Sequence, residues 1–214
     1  NRGFTEEVID DFKIGVSLDE KDSLKRILMS KGYDEKTLID LGLISEGERS
    51  SFDQLTGRVI IPLQNSEGKV IGFTGRIYRN EDIAKYINTK ETIIFKKGEN
   101  LYNYFLAKDY VKREKSVIVV EGQMDAIRLY SEGFKNVVAT GGTALTKEQV
   151  ELFKKFKSKV ILCLDNDKAG FEATYKMGEE LVKNNIETFV IRLSEATDPD
   201  EYIKKFGEEA FENN

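Results

Sequence analysis

Two patterns of hydrophobic and polar positions meet near residue 115. From Ser116 onward, short and almost continuously apolar runs alternate with stretches of helical period. The runs are Val117-Ile118-Val119-Val120, Val160 to Leu164 and Thr188 to Leu193, with a shorter one at Asn136 to Ala139. Strands that are apolar at successive positions are buried on both faces, as in a parallel sheet covered by helices. Met124 to Glu132, Thr146 to Phe156 and Lys168 to Lys183 supply those helices, broken or ended at Gly133 and Gly178. The order βαβαβαβ with right-handed crossovers predicts an α/β layered domain over residues 116–214. Its ligand site is expected beyond the carboxyl ends of the strands.

Upstream, residues 1–115 read as a smaller mixed α+β subdomain. Thr5 can cap a short helix through Ile9 and Phe12, and Asp34 can cap another that stops at Gly42. Arg58 to Leu63 and Val70 to Arg76 flank Asn65-Ser66-Glu67-Gly68, which predicts an antiparallel hairpin. Leu101, Tyr102, Phe105 and Leu106 form one apolar face of a helix expected from about Leu101 to Val111.

Composition removes whole classes of chemistry. The 214 residues contain no histidine and one cysteine, so histidine triads, histidine or cysteine zinc sites and disulfides are excluded. Cys163 lies inside an apolar run and reads as a buried structural thiol. No signal peptide or membrane span is recognisable, which suggests a cytoplasmic protein with no membrane partner. The net charge of −5 hides a gradient: Gly57 to Lys97 holds eight basic residues against four acidic, leaving −9 on the rest of the chain. On the count alone those lysines could simply solubilise a surface.

Acids stand where the strands end. Glu121 follows the first strand and Asp125 lies one helical turn further on. Asp165 and Asp167 follow the third strand, and Asp198 and Asp200 come after the fourth. In extended segments the i, i+2 pairs point to one face, so six carboxylates would converge on one sheet edge. Such a cluster needs cations, and oxygen donors without nitrogen or sulfur suit Mg²⁺ or Mn²⁺. Taken singly, each motif has a plainer reading. Asp198-Pro199-Asp200 also fits a helix cap, a first-position proline and a first-turn acid.

Val120-Glu121-Gly122 through Asp125, followed by Asp165-Asn166-Asp167, resembles the toprim domain of primases, topoisomerases and some nucleases. Further stretches are similar to bacterial-type (DnaG family) DNA primases: Gly141 to Thr146, Asp198 to Glu201, Gly57 to Pro62, Val70 to Arg76, Lys85 to Asn88, Lys96-Lys97-Gly98 and Arg2-Gly3-Phe4. The family usually has an aromatic at Gln123, a glycine at Asn166 and a bulkier residue at Gly142, departures that leave a host primase and a divergent, phage-borne relative both open. Asn166 is expected to keep a glycine-like, left-handed turn.

This resemblance implies a primase catalytic core that makes short RNA primers from ribonucleoside triphosphates on single-stranded DNA at the replication fork. Its partners would be the template, the RNA–DNA hybrid and, through a C-terminal domain outside this chain, the replicative helicase of the primosome. Glu121, Asp165 and Asp167 would be the catalytic metal ligands, with Glu121 alternatively a base. Asp125, Asp198 and Asp200 would be further ligands or supports. The cofactor would be Mg²⁺, replaceable by Mn²⁺, with no zinc. Arg2, Arg58, Arg76, Lys85 and Lys97 would contact template, primer or nucleotide phosphates. A toprim nuclease, a topoisomerase-like enzyme with a tyrosine nucleophile, and a non-enzymatic DNA-binding recombination mediator remain alternatives.

Overall fold

The computed structural model describes residues 3–79, 84–142, 144–193 and 196–213. It divides into two compact units. Residues 6–63 and 69–96 form one; residues 1–5, 64–68 and 97–214 form the other.

The first unit opens with helix α1 (Glu6–Asp11), immediately after Thr5. It continues through β1 (Gly15–Val16), α2 (Ser23–Ser30), α3 (Glu35–Asp40), β2 (Ile44–Ser45), β3 (Phe52–Asp53), β4 (Arg58–Gln64), β5 (Val70–Ile77) and β6 (Tyr86–Asn88). Asp34 caps α3 by accepting from the Thr37 N–H at 2.9 Å, and the chain turns out of that helix at Gly42, whose φ of 67° suits glycine. The cap of α2 comes from far away in sequence. Asp22 makes no side-chain cap bond, whereas the buried Asp53 accepts from the Leu24 and Lys25 N–H groups at 2.7 and 2.9 Å. β4 and β5 are sheet neighbours across the predicted turn, where the Asn65 carbonyl accepts from Gly68 and its side chain accepts from Glu67. The sheet order is β1-β4-β5-β6.

The second unit begins with a 3₁₀ turn (Lys97–Glu99). It then alternates α4 (Tyr104–Glu114), β7 (Ser116–Val120), α5 (Gln123–Ser131), β8 (Val137–Ala139), α6 (Lys147–Phe156), β9 (Lys159–Leu162), α7 (Lys168–Lys183), β10 (Thr188–Val190), α8 (Pro199–Phe206) and α9 (Glu208–Glu212). The helix expected from Leu101 starts instead at Tyr104, because Tyr102 bridges to Ala139 and extends the backbone pairing along the edge of β8. β7, β8, β9 and β10 form a parallel sheet in the order β10-β9-β7-β8. Every residue of β7 is buried, and Val117 and Val119 join Val160, Leu162, Phe153, Met177 and Leu181 in one core. Burial of each such side chain stabilises by about 1.5–3 kcal/mol before entropy is counted. β10 differs from its expectation. Among the described residues it is an edge strand with β9 alone for a neighbour, ends at Val190, and leaves Phe189 and Val190 about half exposed.

Strand order places the site. From β7 the chain crosses to β8 on one side, then returns past β7 to β9 and β10 on the other. The crevice beyond the carboxyl ends of β7 and β9 is therefore the point where the winding reverses, the usual ligand position in open α/β sheets. Among the described residues no helix is long and apolar enough to cross a membrane.

Candidate functional site

Glu121 is the first residue beyond β7, and Asp165 is the third beyond β9. Main-chain bonds hold both turns. The Glu121 carbonyl accepts from Gly141, the Val120 carbonyl from Thr140, and the Val119 carbonyl from Cys163. Gly122 is the N-cap of α5 and offers no side-chain cap. Asp125, in that helix's first turn, reaches back and accepts a backbone hydrogen bond at Gly122. A Cβ added to Gly122 would stand 2.7 Å from Asp125 Oδ2, so the glycine leaves room for this carboxylate.

The loop after β9 is tied down at three points. Asp167 is the N-cap of α7, its Oδ1 accepting from the Gly170 N–H at 2.7 Å. Asn166 donates its side-chain amide to the Leu193 and Ala196 carbonyls at 2.8 and 3.2 Å, and its N–H to the Thr197 carbonyl at 2.7 Å. Asn166 is therefore not left-handed, contrary to expectation: its amide binds the loop to the segment ahead of α8, a task glycine could not perform. Gly170 packs directly on the backbone of this loop. A Cβ there would lie 2.0 Å from the Asp165 carbonyl oxygen, which excludes any side chain without backbone movement.

Asp198 and Asp200 form a helix start, the plainer of the two sequence readings. Asp198 caps α8 by accepting from the Glu201 N–H at 2.7 Å, Pro199 takes the first turn, and Asp200 is buried. Both Asp200 oxygens face cations, Arg128 Nε at 2.7 Å and Lys204 Nζ at 2.5 Å.

Electrostatics join these turns into one cluster. Burial, then the charges of Asp165, Asp198 and Asp200, push the Asp125 carboxyl up to about 7, against the Gly122 hydrogen bond. Burial and the charges of Glu121, Asp198 and Asp167 push Asp165 up to about 6. Burial chiefly, with Asp125 and Asp165 adding to it, also raises the proton affinity of Cys163, leaving an inert thiol beneath the site. Among the described residues, no three acids are grouped tightly enough to grip one ion. Asp167, Asp198 and Asp125 each engage the N-terminus of a helix, and Asp200 is engaged by ion pairs. Asp165 is different: its buried Oδ1 has no hydrogen-bond donor among the described residues. A buried, donor-less carboxylate oxygen beside like charges is the environment that a hard divalent cation relieves, so the oxygen chemistry at Asp165, without a closed set of three acids, suits one.

The basic candidates take up different settings. Lys97 belongs to the same unit as the acids: its Cε would lie 3.6 Å from a Cβ on Gly141, the residue whose N–H binds the Glu121 carbonyl. The Thr146 hydroxyl donates to the Gly98 carbonyl while capping α6, and Gln149 donates to the Asn100 and Thr140 carbonyls at 2.9 and 3.1 Å. In the other unit, the Arg76 guanidinium and the Lys85 ammonium lie 5.6 and 6.0 Å from the Tyr86 ring centroid, and the buried Arg76 Nε has no acceptor among the described residues. Arg58 is buried, donating to the Gly75 and Lys85 carbonyls. Arg2 and Thr143 lie outside the described residues. Sequence reasoning missed Gly170, Arg128 and the Thr146–Gln149 anchor. Only the anchor left a signal, the capping-box spacing of Thr146 and Gln149.

Comparison with known proteins accords with this geometry. Residues 1–108 match the family described as DNA primase catalytic core, N-terminal domain, and residues 118–203 match a toprim-like domain, a fold that implies divalent-metal binding. The chain is 39% identical over 212 residues to the DNA primase of Staphylococcus aureus strain COL, covering 98% of this chain. It spans 35% of that relative's length. The crystal structure of the Aquifex aeolicus primase zinc-binding and RNA polymerase domains superposes with a TM-score of 0.91 at 37% identity, over 99% of this chain and 52% of that one. A DnaG primase catalytic domain bound to single-stranded DNA superposes with a TM-score of 0.88 at 35% identity, over 99% of this chain and 67% of that one.

Proposed function

Because the chain belongs to the bacterial-type (DnaG) DNA primase family, we propose that it is the catalytic core that joins ribonucleotides into short RNA primers on single-stranded DNA during replication. The observation that carries this reading is Asp165, with its donor-less oxygen and raised proton affinity at the sheet's switch point. Glu121, Asp165 and Asp167 are the residues that would hold the metal, with Asp125 and Asp198 completing the negative field around them. When bound, Mg²⁺, or Mn²⁺ in its place, supplies activation of the primer 3′-hydroxyl and neutralisation of the nucleotide phosphates.

The chain's own groups do the positioning. Asp167 and Gly170 hold the loop that presents Asp165, and Gly141 fixes the main chain of Glu121, the alternative acceptor of the hydroxyl proton. Lys97, beside Gly141, meets nucleotide or primer phosphate. Arg76 and Lys85, both near the Tyr86 ring, grip template phosphates. Arg58 contributes by bracing the carbonyls of Gly75 and Lys85. Arg2, by its resemblance, contacts phosphate as well.

The test is incorporation of labelled ribonucleotides on a single-stranded template, with Mg²⁺, Mn²⁺ or chelator. Short RNA should form with either metal and disappear with chelator, and Glu121→Gln should lower synthesis by at least about 100-fold with unchanged circular dichroism. Template cleavage without incorporation, or near-normal synthesis by Glu121→Gln, overturns the assignment.

A further inference from the structure

Arg128 lies on α5 one turn after Asp125 and is 6% exposed. Its Nε donates to Asp200 Oδ1 at 2.7 Å, its Nη1 to Glu132 Oε1 at 3.1 Å, and its guanidinium lies 4.7 Å from the centroid of the Phe4 ring. Lys204 Nζ meets the other Asp200 oxygen at 2.5 Å. Asp200 is thus a buried carboxylate with a protein cation at each oxygen, and it stands beside the acid cluster because its helix, α8, packs on α5, the helix of Asp125. A carboxylate so compensated offers a divalent ion little net charge, and a buried guanidinium is not readily displaced from a partner it can neither leave charged nor replace with water.

We propose that Arg128 is a built-in counter-cation of the acid cluster, a positioning residue that engages Asp200 and confines divalent-ion binding to the carboxylates following β7 and β9. This rests on the reading of those carboxylates as metal holders. Sequence alone groups Asp200 with the ligands; Arg128 removes it from them. The charge relation also sets an unusual sign, since deletion of a positive residue that merely supported the fold could not improve metal binding.

The experiment titrates Mn²⁺ into metal-free protein and reads free Mn²⁺ by electron paramagnetic resonance. Arg128→Met should bind Mn²⁺ about three- to tenfold more tightly than wild type, because Asp200 then adds its charge to the site. Asp200→Asn should bind more weakly, because Arg128 is left uncompensated beside the cluster. The double variant should return to within about twofold of wild type. No gain in Arg128→Met, or a double variant as weak as Asp200→Asn, overturns the proposal, the second result making Asp200 a ligand. Should Arg128→Met fail to fold by circular dichroism, Lys204→Met relieves the same carboxylate from its exposed side. It should then tighten binding by a smaller factor, and unchanged affinity overturns the proposal. Failure of the underlying metal assignment looks different: wild type takes up no Mn²⁺, or Asp165→Asn binds it as wild type does.

Discussion

Burial and the charges of Glu121, Asp198 and Asp167 raise the Asp165 carboxyl to about 6 from an ordinary 3.8, which makes the metal-free protein sensitive to pH in a definite direction. A carboxyl with a higher pKa folded than unfolded keeps more proton in the native state. Stability is therefore greatest below the unfolded value and declines as pH rises from about 4 to about 6. Asp125, at about 7, extends the decline to near neutrality. In chelator, Asp165→Asn should melt above wild type at mildly alkaline pH, by about 1 kcal/mol for this partly exposed group, and the two should converge near pH 4. Melts across that range check it; an advantage that persists at acid pH would point to packing instead of charge. Gly170→Ala tests the backbone beneath the same residue. With 2.0 Å between the new Cβ and the Asp165 carbonyl, it should destabilise by roughly 1–3 kcal/mol and abolish primer synthesis. Wild-type stability would refute the close approach. At this scale the sequence displays donor chemistry well, since acids without histidine or available cysteine leave few metals to consider. It conceals the ties at Asn166 and Gly170, which depend on segments that meet only in the fold.

α6 shows how an element can carry a site it does not touch. Thr146 and Gln149 form a capping box, and the same two side chains fasten the turn at 97–100 through the Gly98 and Asn100 carbonyls. Thr146→Ala should destabilise by about 1–2 kcal/mol in melts and weaken nucleotide binding through the displacement of Lys97, raising KM more than it lowers kcat. Equal effects on both constants would mean that Lys97 acts on the reacting phosphate. Among the elements, β7 was legible because all five of its positions are buried, and α3 because Asp34 caps it locally. β10 was misjudged in extent because apolar composition does not distinguish a central strand from an edge. The Asp198-Pro199-Asp200 segment offers two readings in sequence, an extended pair and a helix start, and it folds as the helix start. Its buried partner Arg128 stands 72 residues away, beyond any local pattern.

Across the whole molecule, the charge gradient visible in the sequence separates a basic hairpin region from an acidic parallel-sheet unit. Single-strand affinity should therefore depend steeply on salt. Arg76→Ala, Lys85→Ala and Lys97→Ala should each flatten the logarithmic salt slope by about 0.7, whereas Arg58→Ala should act mainly on stability. Unchanged slopes in all three would return those residues to a solubilising role. What sequence could not supply was strand order, which alone brings Glu121 and Asp165 to the same crevice. The central claim, that Asp165 marks where a divalent cation is held, is tested most directly by thermal melts of wild type and Asp165→Asn in chelator and then in millimolar Mn²⁺. Wild type should gain about 2.7 kcal/mol when Mn²⁺ stands a hundredfold above Kd, and Asp165→Asn should lose most of that gain. Full stabilisation of Asp165→Asn by Mn²⁺ would contradict the claim.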